Sequence, residues 1–101
     1  MADTGSYASG NWHVKQGNED EFVSRWTEFL EWTRDNVSGF QGANLIQEVD
    51  DPTHFVSWAQ WDSAESQRAW RSEPEFQSKI GACAELCDDF RGATYTRAVS
   101  V

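Results

Sequence analysis

The sequence predicts an α+β domain in which a four-stranded antiparallel sheet carries its helices on one face, in the order β-α-β-β-α-β. Three observations predict it. Residues 7–15, 39–49 and 54–61 alternate with period two; a long stretch of helical spacing separates the first two of these; and a second helical stretch precedes a last strand through Thr94, Tyr95, Thr96 and Val99. A chain of 101 residues holds one modest core, so residues 1–101 form a single domain and two-domain enzymes are excluded.

The first ten residues are rich in Gly and Ser, and residues 1–6 are expected to be flexible. Strand one follows around Trp12 and Val14, and Gln16-Gly17-Asn18 breaks it. Glu19-Asp20-Glu21 then places three acids where they complement a helix dipole, and Phe22, Trp26, Phe29, Leu30, Thr33 and Val37 recur at helical spacing, so helix one spans residues 18–36. Ser38-Gly39 stops it. Strand two carries Ala43, Leu45, Gln47 and Val49 on one face and Asn44, Ile46 and Glu48 on the other, before a turn at residues 50–53 in which Pro52 fits.

In strand three, Phe55, Ser57, Ala59 and Trp61 share one face and His54, Val56, Trp58 and Gln60 the other. Asp62 and Glu65 have capping-box spacing and open a short helix through Trp70. Pro74 restarts a turn near Phe76. A further helix is predicted over residues 77–90, with Ile80, Cys83, Leu86, Cys87 and Phe90 inward, and Gly92 releases the last strand. The order is the ferredoxin-like one. Its sheet has one face bare of helices, with Ile46, Val56 and Trp58 on it, and self-association through that face would cover them.

Seventeen acids against eight bases give a net charge of −9, with the bases scattered along the chain. Nucleic acid and anionic membrane are therefore poor partners. No segment approaches the roughly 20 apolar residues of a membrane span, and the N-terminus has neither a basic region nor an apolar run, so the expected location is the cytoplasm. Cys83 and Cys87, four apart in the predicted helix, would hold their Cβ atoms about 5–6 Å apart, too far for a disulfide, and are read as reduced thiols. His13 and His54 lack metal-ligand spacing, so no metal site is expected.

Lys15-Gln16-Gly17 with Glu19-Asp20-Glu21-Phe22, Gly39-Phe40-Gln41-Gly42, Trp61-Asp62-Ser63, and Trp70, Ser72 and Pro74-Glu75-Phe76 follow one another in an order that resembles the antibiotic biosynthesis monooxygenase family over residues 12–99. The resemblance implies a dimeric α/β barrel: two protomers pairing sheet to sheet, each with a pocket between its own sheet and helices. It also implies one of several chemistries, among them cofactor-free oxygenation of aromatic phenols and anthrones, haem degradation, and quinol oxidation. The haem-degrading members carry a strand-one asparagine and a helix histidine that ligates iron. In register these fall at Gly10, with Asn11 beside it, and at Ile80, so haem degradation is not expected.

A cofactor-free oxygenase needs an apolar pocket for a substrate that, once deprotonated, reduces dioxygen itself, and donors for the developing phenolate or enolate. Trp12, Trp26 and Trp61 are expected between sheet and helices, where they would stack on a flat ligand, with Ser57 and Phe76 also contacting substrate. Trp61 is the first candidate catalytic residue, through its indole N–H; a tryptophan that merely closes the core is the alternative. Asn11 is the second, provided that a bulge turns it inward. His13 and His54 fall by parity on the bare face, where polar or interface roles suit them. Arg25, Arg68 and Arg91 either pair with an anionic substrate or form surface ion pairs. The expected function is a cofactor-independent monooxygenase acting on a small hydrophobic aromatic, as a homodimer. The rivals are a non-catalytic dimer that binds such a molecule, or a ring-closing or isomerising enzyme using the same pocket.

Overall fold

The structure is a computed structural model that describes residues 5–101. Its elements are β1 (Ser6–Val14), α1 (Glu19–Asn36), β2 (Phe40–Glu48), β3 (Asp51–Trp61), α2 (Ala64–Ser72), α3 (Pro74–Ala84) and β4 (Cys87–Thr96). All pairings are antiparallel and the strand order is β2-β3-β1-β4, the ferredoxin-like arrangement that the sequence predicts. The molecule is only 18 Å across its shortest axis, the depth of one sheet and one layer of helices.

Strand register follows from which side chains must be dry. Trp12, Val14, Phe55, Ser57, Ala59 and Trp61 are buried under the helices, whereas Asn11 and His13 are exposed on the outer face. A slip of one residue would exchange these two sets, so the apolar alternation pins the pairing. Helix α1 buries Phe22, Phe29, Leu30 and Thr33, and the Glu19 carboxylate accepts from the Gly17 N–H at its N-terminus. Arg25 clamps α1 to the end of α3, donating to Glu21, to Glu85 and to the Ala82 carbonyl.

Several boundaries depart from the sequence reading. Of the leading residues, 1–4 lie outside the described part, but Ser6 is buried and already paired in β1 with Trp61 and Thr96. The β2–β3 turn is two residues, Val49 and Asp50, rather than residues 50–53; Asp51 and Thr53 belong to β3, where the Asp51 carboxylate accepts both from the Thr53 N–H and from its hydroxyl. Ser63, not Asp62, caps α2, accepting from the Ser66 N–H. Pro74 opens α3 at its first turn, where a missing N–H costs nothing.

The largest departure is at residues 77–90. Helix α3 stops at Ala84, Glu85 and Leu86 turn the chain, and Cys87 to Phe90 are strand. Cys83, Leu86, Cys87 and Phe90 all face the interior, but across a helix end and a strand rather than along one helix. Cys87 pairs with Val14 across the β1–β4 ladder, just beyond an irregularity at His13 and Val14.

Both cysteines are free thiols. Burial pushes the Cys83 thiol up to about 12 and the Cys87 thiol up to about 11, so both stay protonated and unreactive near neutrality. Iodoacetamide at pH 8 is expected to leave the folded protein unlabelled over minutes and to label both residues in denaturant; rapid labelling without denaturant would contradict this. From the ordinary thiol range near pH 9 up to about 11 to 12, the unfolded chain releases protons that the fold retains, so stability is expected to fall as pH rises across that window.

Candidate functional site

Between sheet and helices lies a cavity of about 280 Å³. Close-packed interiors leave few voids larger than a water molecule, so a space this size reflects the choice of side chains, and the register shows which ones. Ala8 stands opposite Ala59 and Thr94, and Gly10 opposite Ser57 and Gly92. This patch of small residues is bounded by Trp12, Phe55 and Phe90 at one end of the inner face and by Trp61 at the other. Large side chains at both ends hold the helices off the sheet, and the small ones between them leave the floor of the cavity open.

The roof is aromatic. Trp26, Phe29 and Leu30 come from α1, Trp70 and Arg71 from α2, and Phe76, Gln77 and Ile80 from α3. Trp70 is fixed from two sides: its indole donates to the Thr33 hydroxyl at 3.0 Å, and its ring stacks on Phe29 with centroids 5.6 Å apart. Thr33 in turn donates to the Phe29 carbonyl, the helical back-bond that spends its hydroxyl proton inside α1 and leaves its oxygen free to accept from Trp70.

At the floor, the Trp12 indole lies along the sheet, stacked on Phe90 at 3.8 Å and donating to Ser57 Oγ at 3.0 Å. Gly10 makes this possible. A Cβ there would stand 2.6 Å from Trp12 Nε1 and 3.0 Å from both Ser57 Oγ and Phe90. The Ser57 hydroxyl, having accepted from Trp12, keeps its own proton to donate into the cavity.

Of the six residues expected at the site, the structure gathers four. Trp12, Trp26, Ser57 and Phe76 all line the cavity. Trp61 does not. It is fully buried between Phe40 and Trp70, with ring centroids at 5.5 and 4.8 Å, and its Nε1 has no hydrogen-bond partner. The indole therefore closes the core beside the cavity, the alternative weighed for it, because Trp70 stands over the strand end.

Asn11 is on the outer face. The irregularity in β1 falls at His13 and Val14, too late to rotate it inward, and Asn11 Oδ1 lies 2.8 Å from His54 Nε2. His54 also reaches Glu48 at 2.7 Å and stacks on His13 at 4.7 Å, so both histidines sit in a polar cluster on the side of the sheet away from the cavity. Trp70, Ile80, Phe90, Arg71 and Gln77 are lining residues that the sequence reading did not place there. The alternation of Phe90, Gly92 and Thr94, parallel to that of Trp12, Gly10 and Ala8, was the available signal for the floor.

Among the described residues no histidine, thiol or carboxylate lines the cavity, and the position in register with the iron-ligating histidine is the lining residue Ile80. The lining thus offers haem no axial ligand of that kind. Among the described residues no His, Cys, Asp or Glu cluster is arranged to hold a metal ion, and no helix is long and apolar enough to cross a membrane.

A family model described as antibiotic biosynthesis monooxygenase matches residues 7–80. The chain belongs to that family. No curated protein matches the chain. Among solved structures, SnoaB from Streptomyces nogalater, a cofactor-independent oxygenase, superimposes with a TM-score of 0.88 at 21% identity, covering 99% of this chain and 98% of that one. A conserved protein from Methanosarcina mazei superimposes with a TM-score of 0.84 at 17% identity, covering 94% of each chain. At these identities the likeness is one of fold, the one that antibiotic biosynthesis monooxygenases share with this chain.

Substituting Gly10→Ala forces its Cβ against the Trp12 indole, which either tilts off Ser57 or pushes Phe90 aside. The expected cost is about 1–3 kcal/mol in urea denaturation, with a shifted tryptophan emission. An unchanged midpoint and spectrum would mean that the indole is not held as described.

Proposed function

We propose that this antibiotic biosynthesis monooxygenase-family protein is a cofactor-independent monooxygenase that oxidises a small, flat aromatic of the anthrone or hydroquinone kind. The observation that carries the reading is the cavity itself, walled by Trp12, Trp26, Phe29, Trp70 and Phe76 and holding few polar groups. Such walls stack on a planar ring and exclude water from it.

In the proposed reaction the substrate loses a proton from an acidic C–H or O–H, and the resulting anion transfers one electron to dioxygen. The two radicals join in a carbon–oxygen bond, protonation gives a hydroperoxide, and loss of water leaves a carbonyl. A CH₂ group and O₂ thus become C=O and H₂O, with no external reductant. Ser57 would donate to the developing enolate, and Arg71 at the cavity rim would favour the anionic form. The described lining supplies no carboxylate or imidazole to take the proton, so in this reading it passes to water at the rim, which restricts the reaction to substrates that are acidic already.

That same lack of a base supports a second reading, a dimeric protein that binds an aromatic without turning it over. Dioxygen uptake separates the two. With anthrone, the metal-free protein is expected to consume oxygen well above the autoxidation rate, and Ser57→Ala is expected to lower kcat by about 10²-fold. Uptake no faster than autoxidation would leave the binding reading.

The homodimer belongs to the same proposal. Ile46 and Tyr95 are about half exposed, 51% and 56%, on the sheet face opposite the helices, with Val56 and Trp58 partly exposed between them. A second copy meeting this face would bury all four. Sedimentation is expected to give twice the 11.5 kDa chain mass at micromolar concentration, and a monomer mass there would refute the pairing.

A further inference from the structure

At the rim of the aromatic cavity α2 and β4 enclose a second, smaller recess of about 150 Å³, lined by Ala64, Gln67, Arg68, Arg71 and Thr94. Arg71, which lines both spaces, joins them. The recess and the cavity thus share Arg71 in their walls, the cavity otherwise lined mainly by apolar side chains and the recess by two arginines.

The chain carries 17 acids against eight bases, and Arg25 and Arg34 are each engaged with carboxylates. Arg68 and Arg71, three residues apart on one face of α2, form no ion pair with any described residue. Arg71 is held on a polar frame instead. Gln67, only 2% exposed, donates to Thr94 Oγ1 at 3.0 Å while its carbonyl accepts from the Ser6 hydroxyl. Arg71 donates to the same Thr94 oxygen at 2.7 Å. A hydroxyl oxygen that accepts twice has its own proton left to donate, and the four remaining guanidinium N–H bonds of Arg71 are unspent. The recess therefore presents a hydroxyl and two guanidinium groups, with no carboxylate among the described residues that line it.

We infer that the Arg68–Arg71–Thr94 recess binds the carboxylate of an aromatic carboxylic acid whose ring occupies the adjoining cavity. This rests on the cavity being the ligand site proposed above, and it narrows the substrate class from a neutral aromatic to an aromatic acid. A planar carboxylate matches the guanidinium fork of Arg71, while Thr94 and Arg68 supply further donors to the same oxygens. Because Gln67 orients Thr94 from a buried position, the donor set is in place before the ligand arrives.

The test compares 2-naphthoate with 2-naphthamide, which differ in charge and little in shape, by quenching of tryptophan fluorescence at low ionic strength. The native protein is expected to bind the acid about tenfold more tightly than the amide. Arg71→Gln is expected to bring that ratio close to one, and Arg68→Gln to reduce it, while Lys79→Gln, which removes an equal charge from another surface, leaves it intact. Circular dichroism confirms that each variant is folded. Equal affinity of the native protein for acid and amide, or a preference that survives Arg71→Gln or falls equally with Lys79→Gln, would overturn the inference. Failure of both probes to bind would overturn the aromatic-cavity reading along with it. A charge preference in a protein that consumes no oxygen would uphold the recess and remove only the oxygenase.

Discussion

The structure depends on one constraint: the middle of the inner sheet face carries almost no side-chain volume. A two-layer domain normally fills the space between its layers from both sides. Here Ala8, Gly10, Ser57, Ala59 and Gly92 meet in register across three strands, so the sheet side cannot fill it, and the helices are propped at a distance by Trp12 and Phe55 at one end and Trp61 at the other. What would be lost stability in an ordinary core is here a chamber. The helices compensate by bonding to one another, Trp70 to Thr33 and Arg25 to the Ala82 carbonyl, so the roof keeps its shape without sitting on the floor.

Polar chemistry is sorted by the same geometry. On the inner face the Ser57 oxygen is claimed by an indole and the Ser6 hydroxyl by Gln67, and the histidines, with Glu48 and Asn11, lie across the sheet from them. An apolar chamber with charge only at its rim favours ligands that stack first and interact electrostatically at one end. The acidic surface sharpens this, since Arg68 and Arg71 line the recess with no carboxylate partner among the described residues, in a chain of net charge −9.

Much of this was legible before the coordinates. Strand parity put Phe55, Ser57, Ala59 and Trp61 on one face, and helix one was read to within a residue of its ends, because period-two and period-3.6 patterns are strong in those segments. Residues 77–90 were misread for an identifiable reason. Cys83, Leu86, Cys87 and Phe90 keep helical spacing, and the reversal at Glu85 and Leu86 contains neither Gly nor Pro to mark it. Trp61 was placed on the correct face, but parity reports only which layer a side chain enters and not that Trp70 packs against it there. Asn11 depended on a bulge, and bulges leave no reliable trace in composition.

One residue behind the roof sets the corner at which two of its helices meet. Glu73 ends α2 and also begins α3, extended at φ −69° and ψ 133°, with Pro74 fixing the next bend. Trp70 and Arg71 stand on one side of this joint, Phe76 and Gln77 on the other, and all four line the cavity. The Glu73 N–H donates to the Trp70 carbonyl and its own carbonyl accepts from the Phe76 N–H, while across the joint Gln77 donates to the Arg71 carbonyl and Phe76 meets Trp70 edge-on with centroids 4.7 Å apart. The corner is thereby pinned from both helices, and a substitution at Phe76 or Gln77 would be felt by Trp70 and Arg71 although a helix boundary lies between them.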